Sequence, residues 1–405
     1  MSITRMATAS TYERTINNIS KQQAELTQQM EHASAGKRVI RASDDPVAAA
    51  QAERARTRLT RIETDQRTLD AQAATMKYAE STLGSISDAL QEFRELMVQA
   101  GNGSYDAQQR EAIAQQLRSL KEQIVGYANR RDSNGLPLFR GLDATATLPF
   151  SEGGSNIRSG QVNGGEFSIT NSLNGAYAFS SVSTGNGVLA MAASAGNQSS
   201  VAPTDTGTII DPSKATALVP PEQVVIRFAV DADGVATYTV EGGADHGMSG
   251  TYQAGAKLQV QGLEFAISGT PADGDSLVMV PSEQQSLFET LNMAIASISR
   301  PDGSEGPLGN VALSYAISRT VTELDTAMDR VSSVRGVAGD QLNQAERITS
   351  TLLARSELME ETRSTAEDLD LVEALSKLKT QETVVSAALQ SYTSIQKLSL
   401  FNYIS

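Results

Sequence analysis

The chain is 405 residues long, 40% hydrophobic and only 5% aromatic, with no Trp and no Cys. Disulfides, thiolate metal sites and cysteine nucleophiles are therefore excluded, and few bulky aromatics suit long thin helices better than one thick core. The net charge of −14 gathers in the middle, where residues 148–285 hold 13 acidic and 4 basic residues; no stretch forms the basic patch that nucleic acid needs, and no apolar run approaches the ~18 residues of a membrane span.

Met1 to Met6 lacks the apolar core of a secretory signal, which predicts a chain that stays in the cytoplasm or leaves without a cleaved signal. The first stripe follows. Ala9, Tyr12, Ile16, Ile19, Gln23, Leu26, Met30 and Ala33 alternate steps of three and four, the seam of a coiled coil. Gly36 reads as its C-terminal stop. The segment Lys37-Arg38-Val39-Ile40-Arg41-Ala42-Ser43-Asp44-Asp45-Pro46 reads as an extended loop ending in a helix start, with Asp45 as N-cap and Pro46 at the first helical position.

A second helix is predicted from about Pro46 to Ala100, with Leu59, Ile62, Gln66, Leu69, Ala73, Met76, Leu83, Ile86, Leu90, Phe93 and Met97 on its seam and a register shift near Tyr78 to Leu83. Such a helix is roughly 80 Å long at 1.5 Å per residue, which suits a fibre or bundle. Gly101-Asn102-Gly103 breaks it. A third helix carries Ile113, Leu117, Leu120, Ile124 and Tyr127 on one face and ends before the turn Ser133-Asn134-Gly135.

From about residue 148 helical periodicity vanishes. Glu166–Thr170, Gln223–Val230, Val235–Val240, Lys257–Val260, Leu263–Ser268 and Leu277–Val280 read as strands, separated by turns such as Asp231-Ala232-Asp233-Gly234. That acidic turn lacks the remaining ligands and closing Glu of a calcium loop. After Pro281 the helical pattern returns through Leu287 to Ile298, breaks at Pro301 to Pro307, and resumes through Leu313 to Val331. Gly336 and Gly339 either allow close helix approach or mark a break. The stripe continues through Leu342, Ile348 and Leu352, and a last helix shows Leu371, Leu375, Leu378, Val385, Leu389, Tyr392, Ile395 and Leu398.

The two terminal stripes each need a partner, and pairing with each other is the simplest answer. The predicted fold is α+β: an elongated antiparallel helical bundle or coiled coil formed by the N- and C-terminal regions, with a β-rich inserted domain. The expected divisions are a coiled-coil helix at 1–45, a helical rod at 46–147, a β-rich domain at 148–283, the rest of the rod at 284–365 and a C-terminal coiled-coil helix at 366–405. His32 and His246 have no partner at a ligand spacing, so both are expected in solvent, with no metal. No His-Glu-x-x-His helix or Gly-x-Ser-x-Gly elbow is present, so no catalytic residue and no cofactor is expected.

Several runs resemble one family. Ser34 to Pro46, Arg94 to Gly103, Glu367-Asp368-Leu369-Asp370 and Gln381-Glu382-Thr383 resemble the terminal segments of the bacterial flagellin family. The closing Tyr392 to Ile404 resembles the hook–filament junction members, and the run Gly262 to Asp275 resembles the insertion domain of hook-associated proteins; Ala42 stands where the junction members often carry a Pro. The resemblance covers about residues 1–140 and 285–405. It implies a structural, non-enzymatic subunit, exported through the type III apparatus with a chaperone and located outside the cell in the flagellum. It implies packing against its own copies in a tubular layer, with hook-associated protein 1 on the hook side and flagellin on the filament side. The expected packing residues are Ile16, Ile19, Leu26, Met30, Leu375, Leu378, Val385, Leu389 and Tyr392, and the expected inter-subunit loop is Lys37, Arg38, Arg41, Asp44, Asp45 and Pro46. The alternatives are a filament-forming flagellin, and an exported hydrolase or glycan-binding adhesin on the same scaffold.

Overall fold

The computed structural model describes residues 3–102, 105–141, 150–151, 154–155, 167–170, 172–194, 196–199, 201–299 and 307–404; side chains at 3–12, 150–151, 154–155, 307–310 and 395–404 fall outside the description. The helices are α1 (Ile3–Ala35), α2 (Pro46–Ala100), α3 (Ala107–Ala128), α4 (Gly175–Phe179), α5 (Pro212–Ala215), α6 (Leu287–Ile298), α7 (Pro307–Glu367) and α8 (Leu371–Ile404). The fold is α+β, with long helices from both terminal regions flanking a β-rich insertion in the chain. Two compact units divide the chain: residues 1–68 with 347–405, and residues 69–346.

In the first unit, α1 packs on α8, and α2 packs on α7. Ala48, Ala52, Ala55, Leu59 and Ile62 face inward on α2 at alternating steps of four and three, a coiled-coil seam. Ile348, Leu352 and Ala366 are the buried counterpart on α7.

In the second unit, α2 buries Leu69, Met76, Ala79, Leu83, Ile86, Leu90, Phe93 and Met97. The steps around Ala79 include two consecutive threes, counted from Ala73, and this is the physical form of the register shift. Asp106 and Gln109 form a reciprocal capping box that starts α3. The buried faces of α3 and α6 meet. The ion pairs Arg94–Asp325 and Arg335–Glu80 join α2 to α7. Gly336 and Gly339 neither break α7 nor allow a close approach: the helix is continuous, and a Cβ at either site would meet nothing within 4 Å.

The strands are β1 (Phe150–Ser151), β2 (Gly154–Ser155), β3 (Val182–Ser183), β4 (Leu189–Ala193), β5 (Ala202–Pro203), β6 (Thr208–Ile209), β7 (Val224–Val230), β8 (Ala236–Glu241), β9 (Ser249–Thr251), β10 (Lys257–Val260), β11 (Leu263–Ser268), β12 (Ser276–Pro281) and β13 (Gln284–Gln285). One antiparallel sheet has the order β4-β12-β7-β8-β9; a second pairs β10 with β11, and β11 also pairs with β5 and β6. Val224, Ile226 and Phe228 of the first sheet and Leu263, Phe265 and Ile267 of the second share one core with Tyr315 of α7. Residues 167–170 form no strand. Val182–Ser183 and Leu189–Ala193 are strands that alternation did not single out. The Asp231 turn joins β7 to β8, with Asp231 Oδ1 accepting from the N–H groups of Asp233 and Val235. Gln261 and Gly262 both take positive φ, 53° and 74°, in the two-residue turn between β10 and β11.

Candidate assembly surface

The pair α1–α8 decides what the terminal stripes can do. Of the expected stripe on α1, Ile19 is buried, and Leu26 and Ala33 are half-buried. Ile16 and Met30 are 42% and 53% exposed, and Gln23 between them is exposed as well. The same split recurs on α8: Val385 is buried and Leu378 and Tyr392 are half-buried, whereas Leu371, Leu375 and Leu389 are 52%, 56% and 41% exposed. Each stripe is thus two parallel columns. One faces the other helix of the same chain. The second lies open on α1 because the seam that α8 covers runs through positions 19, 22, 26, 29 and 33, at alternating steps of three and four, and leaves 16, 23 and 30 uncovered. Val372 and Val384 add further exposed apolar surface to α8. The side chains of Ala9, Tyr12, Ile395 and Leu398 fall outside the description, and the break at 301–306 lies outside the described residues.

The loop after α1 closes this end of the pair. Gly36 adopts φ +66°, and the Lys37 N–H reaches back to the His32 carbonyl at 3.2 Å, a Schellman stop. His32 is half-buried rather than a plain surface residue, and its Nδ1–H donates to the Lys37 carbonyl at 2.9 Å. His246 is exposed, as expected, and its Nδ1 accepts from the Gly242 N–H. Beyond Gly36 the backbone runs against the end of α7. The Arg38 N–H donates to the Glu367 carbonyl at 2.8 Å, the Leu369 N–H to the Gly36 carbonyl at 3.0 Å, and Arg38 Nη2 to the Ala366 carbonyl at 2.8 Å.

At the centre sits Glu367. Its side chain is 6% exposed and meets Lys37 Nζ, Arg56 Nη2 at 2.5 and 2.7 Å, and Arg363 Nη1 at 3.5 Å. Burial alone pushes its carboxyl up, but Lys37 and Arg56 outweigh that and hold it below the usual carboxylate value. Around it, Asp45 Oδ1 accepts from the Val47 and Ala48 N–H groups and so caps α2 directly before Pro46. Hydrogen bonds from the Ala48 N–H and from Arg38 lower the Asp45 pKa. Asp44 Oδ2 accepts from the Arg41 and Ile40 N–H groups, and the Arg41 bond is the largest cause of its lowered pKa. Arg41 pairs with Glu31 of α1 at 2.7 Å. Val39, Ala48, Ala52 and Ala366 form a small apolar cluster beside these charges. Each charged residue of the loop therefore has a partner inside its own chain.

Three contributors were not singled out from the sequence: Arg56, Arg363 and Glu367 as a charged centre. Nothing in spacing links positions 37, 56 and 367. Asp370 was also missed, although Asp370-Leu371-Val372-Glu373 is a helix-start signature. Its Oδ1 accepts from the Val372 and Glu373 N–H groups and caps α8. Among the described residues, no group of three or more His, Asp or Glu side chains is placed to hold a metal, and no helix is long and apolar enough to cross a membrane.

Comparison with known proteins agrees with this architecture. Residues 6–144 match the bacterial flagellin N-terminal helical region. The flagellar hook-associated protein 3 of Escherichia coli K12 is 26% identical over 399 residues, 98% of each chain. That of Salmonella typhimurium is 34% identical over 174 residues, 42% of this chain and 52% of its own. The crystal structure of the flagellar junction protein FlgL of Legionella pneumophila superposes with a TM-score of 0.65 at 25% identity, covering 73% of this chain and 99% of that one. Flagellins of Bacillus subtilis and Listeria monocytogenes align over only 31% and 30% of the chain. The chain thus carries the bacterial flagellin N-terminal helical region, and it is similar over 98% of its length to a flagellar hook-associated protein 3, whereas its similarity to these filament flagellins spans less than a third of it.

Proposed function

We propose that the chain is a structural subunit of the bacterial flagellum that forms the junction between hook and filament, built by packing its terminal helices against those of neighbouring copies. The observation that supports assembly is the exposed apolar surface on each terminal helix: the open column of Ile16 and Met30 on α1, and on α8 the open column of Leu375 and Leu389 together with Leu371 in its first turn. Apolar stripes of this kind are covered in a stable state, and copies of the same chain supply a matching stripe. On this reading the tubular layer contacts hook-associated protein 1 on one side and flagellin on the other. The chain reaches its place by export with a chaperone and works without catalysis. Lys37, Arg38, Arg41, Asp44 and Asp45 then act on neighbours mainly by holding the loop in shape, because their charges are already paired within the chain. The five-part division at 45, 147, 283 and 365 is the working map of the assembled subunit.

Deleting the gene and examining the cells by electron microscopy tests the role. Hooks without filaments, with flagellin free in the medium, are expected; normal filaments overturn it. Seeded polymerisation separates junction from filament subunit, since a flagellin elongates from seeds without limit and this chain should add no more than a short layer.

A further inference from the structure

The chain enters the two main sheets through β3 and leaves them through β13, and these two strands form a neck. They pair over only two residues each, Ser183 with Gln284 and Val182 with Gln285. A pair so short does not hold its register by itself. Beside it lies Glu323 of α7, whose side chain is 2% exposed. Its Oε1 accepts from the Gly185 N–H at 3.1 Å and from Arg319 Nε at 2.7 Å, and its Oε2 accepts from Gln285 Nε2 at 3.0 Å. Gly185 follows the entering strand and Gln285 belongs to the leaving one, so a single buried carboxylate holds both. Gln285 Nε2 also donates to the Thr290 hydroxyl of α6 at 2.8 Å, and Ser286 caps α6 directly after β13.

We propose that Glu323 is the lock of this neck: it fixes β3 against β13, and without it the neck opens as a unit while the sheets stay folded. Burying a carboxylate is unfavourable unless donors meet it, and here the donors come from the entering strand's end, the leaving strand and α7 itself. Each donor would in turn be left without its acceptor if the acid were removed. The sheets have a separate anchor on the same helix. Val311 and Tyr315 pack with their shared core, and the Tyr315 hydroxyl donates to the Met191 carbonyl of β4. Loss of Glu323 leaves that seat in place and removes only what keeps β3 and β13 in register. Because Gln285 also reaches Thr290, an open neck frees the start of α6, and the lock thereby couples the β-rich part to the helix that packs on α3.

The test is hydrogen–deuterium exchange on the full chain, read at the amides of Thr184 and Glu283. These donate across the neck, to the Glu283 carbonyl at 2.9 Å and to the Thr184 hydroxyl at 3.0 Å, and neither bonds to Glu323. Glu323→Met keeps the length of the side chain and takes away the carboxylate. Both amides should then exchange faster by about tenfold or more, while those of Phe228 and Val240, which donate within the β-rich part to the Asp275 and Met248 carbonyls, keep their rates. A protease specific for Glu should also cut after the exposed Glu283 sooner than in the wild type. Gln285→Leu removes one donor and leaves the acid in place. It should move the same two amides by a smaller factor, and it decides the question if the Met variant fails to fold. Asp325→Asn removes an acid of the same helix that pairs with Arg94 of α2 and should leave the neck as it is. Neck amides at wild-type rates in the Glu323 and Gln285 variants overturn the proposal. So do Phe228 and Val240 accelerating as much as the neck, or a neck opened equally by Asp325→Asn.

Discussion

Replacing Glu367 with Gln keeps the volume of the side chain and removes its charge. In a dry site, removing one member of an ion pair costs about 3–5 kcal/mol; between exposed partners it costs about 0–1 kcal/mol. This site lies between those limits. The acid is 6% exposed, but Lys37, Arg56 and Arg363 keep 37%, 46% and 20% of their side-chain surface in water and can rehydrate. The expected cost is about 2–3 kcal/mol, and it falls on the contact between the loop and the end of α7. Hydrogen exchange at the amides of Arg38, Val39 and Leu369, which donate across this contact, should accelerate about 30- to 150-fold. The pH dependence gives a second readout. The Glu367 pKa is lowered from 4.5 in the folded chain, so its contribution is complete above the unfolded value and is lost as pH falls through the lower folded one. In the Gln variant that share of the acid opening disappears, while the shares of Asp44, Asp45 and Glu360, whose pKa values are also lowered, remain. Unchanged exchange at Arg38 and Leu369, or an acid step of undiminished size, refutes the reasoning.

Other sites give independent expectations. Gly336→Ala and Gly339→Ala fill open space on a continuous helix and should each stabilise by about 0.4–1 kcal/mol, read from thermal unfolding. Gly262→Ala should destabilise the β-rich part by more than about 1 kcal/mol, because φ is +74° and the new Cβ would sit 2.2 Å from the Asp211 carbonyl; denaturant titration measures it. Asp275 is buried and accepts from the Gln198 N–H, the Ala272 N–H and the Ser199 hydroxyl. Burial pushes its carboxyl up, these donors outweigh that, and the net value is lowered. Asp275→Asn turns an amide donor toward donors and should cost about 2–3 kcal/mol, with the loss largest above the unfolded carboxylate pKa; unfolding curves across pH follow it. Leu375→Gln with Leu389→Gln changes two side chains of the open column, so the circular dichroism of the monomer should stay as it is while filament attachment in complemented cells fails.

How much of this was legible depended on how local each signal was. The terminal stripes were readable because a period near 3.5 is a property of twenty neighbouring residues. The period does not say which of two adjacent columns meets the same chain: Ile16 and Ile19 look alike in sequence, yet one is open and the other buried. The caps Asp45 and Gly36 were readable because a helix end is settled within four residues. Glu367 was not, because its cations come from positions 37 and 56, and only the folded chain brings them to it. Strand Leu189–Ala193 lacks alternation and β-branched residues; its pairing with Ser276–Pro281 overrides a local preference for helix. Gly336 and Gly339 misled in the opposite sense, since a cost of about 1 kcal/mol each is small against the burial along a helix anchored by Leu324, Val331, Val334 and Leu352.

The charged centre and the thin seam are parts of one arrangement. The end of α1 and the start of α8 are more than 300 residues apart in the chain, and the Leu369 N–H to Gly36 carbonyl bond places them side by side. Bringing such distant segments together has an entropic cost that grows slowly with loop length, and the Glu367 network offsets part of it at the end where α1 and α8 meet. Once it has formed, the two helices behave as arms tethered at one end, at a high effective concentration for each other. A seam whose fully buried apolar side chains, among the described residues, are Ile19 and Val385 can then be thin without losing its register. It follows that Glu367→Gln should also speed exchange in α8 around Val385, although no atom of Glu367 lies on that seam. Acceleration confined to the loop would show that the arms find each other without the tether.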